Sequence, residues 1–256
     1  SASRVVMLSR IAEIQETKAR DVRGAFDSYV LALAQDASDV RVRDELSRLA
    51  ETTGRNQDYG QALQQAVSRV NDNLGLHKEL LLELAKVWDE RENALKLSEQ
   101  AYLELIRIDP DDRDFVGEAS RALVRIHQLL PDYVALGEDF ERLVTLEENN
   151  ADRHAVLVQL SDLYENVLHN APKAMSAYER RVQLDPTDFV AFYAWEKILE
   201  KEQQWNELVN VLRQEIEHQN DDVRQREALK HMASVQEMFL KDIPGAIAVY
   251  EEIMER

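Results

Sequence analysis

The sequence predicts an all-α fold, an α-solenoid of about seven helix-turn-helix repeats. Three observations predict it. Apolar residues recur at helical spacing along nearly the whole chain: Ala119, Leu123, Ile126 and Leu130 lie 4, 3 and 4 apart, and so do Val156, Leu160, Leu163 and Val167. Met7, Ile11 and Ile14 show the first steps of the same stripe. Glycine (7) and proline (5) are scarce in 256 residues, and period-two runs bounded by turn residues are missing, which disfavours a sheet. The third observation is that the chain repeats itself.

Small residues at Ala25, Ser98, Ala174 and Ala246 are each followed four positions later by Tyr29, Tyr102, Tyr178 and Tyr250. An aliphatic residue follows four further on (Leu33, Ile106, Val182), and then an Asp (Asp36, Asp109, Asp185). A related unit lies between these: Tyr59 to Ala66, Tyr133 to Phe140 and Trp205 to Leu212 share an aromatic, an apolar residue three later and another four beyond. Interleaved, the anchors at 29, 66, 102, 140, 178, 212 and 250 are 34 to 38 residues apart and account for the whole chain. The sequence therefore predicts one solenoid domain over 1–256, without an internal linker.

Each repeat divides into two helices. In the first repeat the apolar steps predict helices over 3–19 and 22–35. In the second, Asp39 is placed to cap a helix over 40–54, and Tyr59 and Ala66 anchor 58–71. The third is expected at 74–90 and 93–107, closed by Asp109-Pro110, since proline resists continuation of the helix before it. The fourth spans 113–130 and 132–147. Asp152 is the expected start of 152–168, and the fifth repeat continues with 172–184 and ends at Asp185-Pro186. Asp188 then starts 188–202, followed by 204–219. Asp221 is placed to cap 222–240, and 243–255 completes the seventh repeat.

Paired helices at this period, with Ala-x-x-x-Tyr in the second helix and Asp-Pro closing it, resemble the tetratricopeptide repeat. In the fifth repeat Leu157, Leu160, Ser161 and Tyr164 match the first-helix positions, and Ala174, Tyr178 and Pro186 match the second. In the third, Leu81, Leu84, Ala85, Trp88, Ser98, Tyr102 and Pro110 do the same. The even repeats depart from the pattern, with Ala62, Leu136 or Leu208 at the small position and no closing proline. The resemblance is to divergent arrays such as those in large bacterial repeat proteins. It implies a right-handed solenoid whose first helices line a groove that receives a peptide or a helical segment.

Carried over residue by residue, the groove-facing positions are Val6, Ser9, Glu13, Glu16 and Thr17 in the first repeat, then Asp44, Ser47, Glu51 and Arg55 in the second. Glu79, Leu82, Lys86, Asp89 and Glu90 follow in the third, and Ala155, Val158, Asp162, Glu165 and Asn166 in the fifth. Val190, Tyr193, Lys197, Glu200 and Lys201 come from the sixth, and Glu227, Lys230, Ser234, Glu237 and Met238 from the seventh. Acids outnumber bases among these positions, so the resemblance implies a basic or amphipathic protein partner. The Lys and Asn set of the family's carboxylate clamp is replaced by Glu or Asp at many places, which argues against a chaperone-tail receptor.

The remaining chemistry is excluded by composition. With 49 Asp plus Glu against 31 Lys plus Arg the formal net charge is −18, and no basic block offers cations to phosphates, so nucleic acid is not expected as a partner. Cysteine is absent, removing disulfides, thiol nucleophiles and thiolate metal sites. The six histidines show no i, i+4 pair, and phosphate-loop and nucleophile-elbow motifs are missing, so neither catalysis nor a metal or other cofactor is expected. No apolar run approaches the roughly 18 residues of a membrane span, and no targeting segment is visible, which favours a soluble cytoplasmic protein. The alternative to a binding scaffold is a structural or regulatory segment of a larger protein. Arg4 to Leu8 and Tyr250 to Met254 open and close the sequence on apolar helical faces, so a longer array and weak end-to-end self-association are expected.

Overall fold

The computed structural model describes residues 2–70, 72–90 and 94–255. Among them the chain forms fourteen α-helices and no strand. They are α1 (Ala2–Thr17), α2 (Val22–Gln35), α3 (Val40–Thr53), α4 (Asn56–Arg69), α5 (Leu74–Asp89), α6 (Leu95–Ile108) and α7 (Arg113–Leu129). These make one compact unit, Ser1–Leu129. A second unit, Leu130–Arg256, holds α8 (Tyr133–Leu146), α9 (Asn150–Asp162), α10 (Ala171–Leu184), α11 (Phe189–Lys201), α12 (Trp205–His218), α13 (Asp222–Val235) and α14 (Ile243–Glu255). Within each unit consecutive helices pack on one another, the order a solenoid of helix pairs requires. The expected helix ends at 71 and 93 lie outside the described residues.

The helix starts follow side-chain chemistry. Asp39 and Asp221 accept hydrogen bonds from the first free amides of α3 and α13, and Asp188 does the same for α11. Asn149 caps α9, whereas Asp152 was the expected start. Asp152 lies within the first turn, where its charge complements the helix dipole. Asp36 and Asp185 fold the turns that follow second helices, each accepting from the amide and hydroxyl two residues on, at Ser38 and Thr187.

The turns inside repeats one, five and seven share a different device. Two first helices run on as π-helical turns, Leu163–Val167 after α9 and Gln236–Leu240 after α13. A left-handed residue follows, His169 (φ 50°) or Lys241 (φ 59°), and Arg20 (φ 56°) holds the same place after α1. The next amide then donates six residues back: Asp21 to Gln15, Asn170 to Tyr164 and Asp242 to Gln236, at 2.7 to 2.9 Å. Non-glycine residues in this conformation cost ~1–2 kcal/mol each. The returned hydrogen bond and the cap that follows, Asp21 to the Gly24 amide or Asn170 to the Lys173 amide, offset that cost.

The core is built at the repeat anchors. Tyr29, Tyr102 and Tyr178 are buried, and the small residues Ala25, Ser98 and Ala174 allow close approach of the two helices of a pair. The approach is near enough that the Ser98 hydroxyl donates to the Ala85 carbonyl at 2.8 Å. Of the two interior stripes, Ala119, Leu123, Ile126, Leu160 and Leu163 are buried, Leu130 and Val156 are half-buried and Val167 is exposed. Met7, Ile11 and Ile14 are exposed as well. Val5 and Ala12 form the buried face of α1 instead. No second helix precedes α1 among the described residues to cover the Met7–Ile14 side. Trp205 is half-buried and stacks on Phe239 with ring centroids 3.9 Å apart.

In the second repeat a glycine lets the second helix approach the next first helix closely. Gly60 of α4 lies under the ring of Trp88, and a Cβ there would sit 2.5 Å from a ring carbon. Gly60→Ala in an open helix would gain about 1 kcal/mol of helix propensity. Here it is expected to destabilise by ~1–3 kcal/mol through overpacking, measured as a lowered urea midpoint; a raised midpoint would show that the ring yields.

Candidate partner-binding grooves

In the first unit, α1 and α3 flank an open groove of ≈ 540 Å³. Val6, Ser9, Glu13, Glu16 and Thr17 line it from α1 and Asp44 from α3, with Tyr29 of α2 behind them. Three guanidiniums that lie beside the expected groove positions, and so carry no signal at those positions, line it too. Arg10, Arg41 and Arg48 face the same space. Arg10 pairs with Glu13 at 2.7 Å, and Arg48 bridges Glu45 and Glu16 at 2.6 and 2.7 Å. The i, i+3 spacing of Arg10 with Glu13 and of Glu45 with Arg48 was the available signal. Burial, then the carboxylates Glu45, Glu13 and Glu16, push the Tyr29 phenol up, so it stays a neutral donor at physiological pH.

The third-repeat positions are placed along α5. Leu82 is half-buried and Glu90 is exposed, as is Glu51 on α3. Glu79 accepts from Arg43 at 3.0 Å, Lys86 pairs with Glu118 of α7 at 2.6 Å, and Asp89 pairs with Arg125 of α7. Most of this set therefore already engages the neighbouring first helix.

A buried node lies beneath it. Arg43 of α3 also reaches Glu83 of α5 at 3.2 Å, and the Tyr59 hydroxyl of α4 donates to Glu83. Burial pushes the Glu83 carboxyl up, and the Tyr59 and Arg43 contacts oppose that. Arg43, Lys78 and His154 occupy one register position, and each ties its helix to a turn. Arg43 donates to the Ala37 carbonyl at 2.9 Å, Lys78 to Asp109 and Asp112 at 2.6 and 2.5 Å, and His154 lies 2.8 Å from Asp188. Sequence reasoning did not single these residues out; Arg, Lys or His at the same offset in three first helices was the legible trace.

In the second unit Val158 and Asp162 are exposed on α9, and Asp162 accepts from Asn166 at 2.7 Å. Glu165 accepts from the Tyr178 hydroxyl and joins Lys197, Lys201 and His169 around a cavity of ≈ 230 Å³. Lys197 stands over the exposed Tyr193 ring, 4.4 Å from its centroid. Glu200 lies 2.8 Å from His231, Lys230 is exposed, and Glu237 accepts from the Tyr250 hydroxyl at 3.3 Å. The structure thus brings Glu13 with Glu16, Glu165 with Lys197, and Tyr193 with Lys197 into shared sites. It turns Glu165 and Glu237 partly toward the tyrosines of their own repeats. Among the described residues no group of three or more His, Asp or Glu is placed to hold a metal, and no helix is long and apolar enough to cross a membrane.

No protein-family model matches the sequence, and no curated protein matches it. Solved structures do. A structure of Naa15/Naa10 bound to HypK-THB is 14% identical with a TM-score of 0.50, over 98% of this chain and 37% of that one. A tetratricopeptide repeat protein from Parabacteroides merdae is 12% identical with a TM-score of 0.42, over 99% of this chain and 93% of that one. At such identities the likeness is one of fold. Paired helices, a period near 36 residues and neighbour-on-neighbour stacking give the chain a tetratricopeptide-repeat-like solenoid fold.

Beside the groove positions of α11 lies a buried acid, Glu196. It faces Glu215 of α12 and His231 of α13, whose Nδ1 is 3.8 Å away. Burial first, then the charges of Glu215 and Glu200, push its carboxyl from 4.5 up to about 9. The folded state therefore holds a proton that the unfolded chain releases above pH 4.5. The contribution is fully present below that pH and is lost as pH rises toward 9. Glu196→Gln is expected to raise the urea midpoint at pH 8 relative to the parent chain, with the difference closing below pH 5. A pH-independent difference would contradict the buried-proton account.

Proposed function

We propose that this chain is a protein-interaction scaffold that receives a basic or amphipathic peptide or helix along its first-helix grooves. The observation that carries the reading is the α1–α3 groove. It is open, its volume falls in the ~300–1,000 Å³ range of ligand sites, and its lining combines the exposed Val6 side chain with carboxylates. Asp44 and Glu51 extend the acidic character along α3, while Arg10 and Arg48 offset part of it. Complementary charge of this kind sets partner choice and on-rate more than raw affinity. Tyr193 under Lys197 offers the second unit an aromatic platform for the same class of partner.

A second reading, a structural array segment of a larger protein, has its own support. The ion pairs Glu16–Arg48, Arg43–Glu79, Lys86–Glu118 and Asp89–Arg125 spend groove-facing charges on holding successive first helices together.

The two readings separate in one experiment. An immobilised array of basic amphipathic helical peptides is probed with the chain and with the triple variant Glu13→Lys, Glu51→Lys, Glu90→Lys. Exposed charges are worth ~0.2–1 kcal/mol apiece, so reversal of three is expected to weaken binding by ~10-fold or more at low salt. Equal binding by both proteins would remove the groove assignment, and no binding by either would favour the structural reading.

A further inference from the structure

A buried position that is small in neighbouring repeats holds an acid in the sixth. After Leu49, Leu84, Leu160 and Met232 the first helices carry Ala50, Ala85, Ser161 and Ala233, all fully buried. After Trp195, α11 carries Glu196, which is 9% exposed. The residue opposite departs in the same way. Glu215 of α12 holds the place that Arg181 has on α10, seven residues beyond Leu208 and Ala174 respectively. In the fifth repeat Arg181 donates to the Ser161 hydroxyl at 3.0 Å and so ties the two helices together. In the sixth, two carboxyl groups meet instead.

No donor reaches the buried Oε1 of Glu196. The cations nearby are engaged elsewhere, helix by helix. On α10, Arg180 pairs with Glu141 and Arg181 with Asp188, at 2.8 and 2.9 Å. On α11 itself Lys197 stands over Tyr193, and Glu200 adds a like charge. On α12, Arg213 pairs with Glu252 at 3.0 Å, so Glu215 is the group that faces Glu196. From α13, His231 places Nδ1 3.8 Å from Glu196 and Nε2 2.8 Å from Glu200. Facing carboxyl groups form a hydrogen bond only while one of them keeps its proton; two buried carboxylates repel. Burial, then the charges of Glu215 and Glu200, push the Glu196 carboxyl up to about 9.

We propose that Glu196 and Glu215 form a proton-dependent latch, closed while the two carboxyls share a proton and released when it leaves, so that α12 and the adjoining α13 swing away from α11. Release also parts His231 from Glu200, a groove position of α11, so the latch would regulate that face. The latch itself does not rest on the groove reading. Its sign follows from where the proton sits. The closed state holds a proton that the open state releases above pH 4.5, so one proton leaves per opening between pH 4.5 and about 9. Opening is therefore expected to rise ~10-fold per pH unit across that window.

The test is native-state hydrogen exchange of the whole chain, resolved by helix and corrected for the intrinsic pH dependence of amide exchange. Protection of α12 and α13 is expected to lie below that of α9 and α10 and to fall ~100-fold between pH 6 and pH 8. Glu196→Ala installs the small residue of the other repeats, and Glu215→Arg installs the guanidinium of the fifth. Each is expected to flatten the pH dependence in α12 and α13. Circular dichroism checks that the variants remain folded, and either one alone suffices for the comparison. Protection of α12 and α13 that stays flat with pH, protection equal to that of α9 and α10 at pH 8, or a folded variant that keeps the parent slope would each overturn the proposal.

Discussion

A single pair of helices cannot bury its own apolar face, and the rest of this structure depends on that constraint. The outer side of each second helix carries an aromatic or aliphatic anchor whose burial requires the next first helix. Tyr29, Tyr102 and Tyr178 are buried on α2, α6 and α10, helices that pack on the next first helices α3, α7 and α11. Burying a side chain of this size is worth ~1.5–3 kcal/mol, enough to make adjacent pairs cooperative and isolated pairs unstable. Small residues then appear where backbones must come close: Ser98 against the Ala85 carbonyl, and Gly60 under Trp88.

Polar chemistry fixes the spacing that the apolar contacts need. Arg43, Lys78 and His154 join first helices to turns, and the Asp36 and Asp185 turns set the length of the connection between repeats. These contacts bear on function because the same faces offer the grooves. A first-helix carboxylate such as Glu16 or Glu79 serves both as groove surface and as half of an inter-helix pair. A partner that recruits such a carboxylate must compete with an existing guanidinium. Charges outside the ladder, Asp44 and Glu51 among them, are the more available ones.

Much of the fold was legible because its signals are local and repeated. Asp39, Asp188 and Asp221 cap the helices they precede, and the Ala-x-x-x-Tyr spacing locates the second helices to within a few residues. What escaped depends on neighbours in space. Periodicity gave α1 an apolar stripe at Met7, Ile11 and Ile14 but could not say that this side has nothing packed on it, whereas Val5 and Ala12 do. The mixed charge of the α1–α3 groove came from Arg41 and Arg48, one helix face away from the positions a family resemblance supplies. Glu196 looked like any other acid of a solvated helix, and only the arrival of Glu215 and His231 from α12 and α13 makes it a buried one.

The central claim is that stability is shared between neighbouring repeats rather than held by each helix alone. Native-state amide hydrogen exchange, resolved by helix, tests it most directly. Coupling between neighbours predicts protection that is highest in α3 to α5 of the first unit and α9 to α11 of the second, and that falls toward α1 and α14, whose outer faces are bare. Equal protection in every helix, or protection that peaks in α1 or α14, would contradict it.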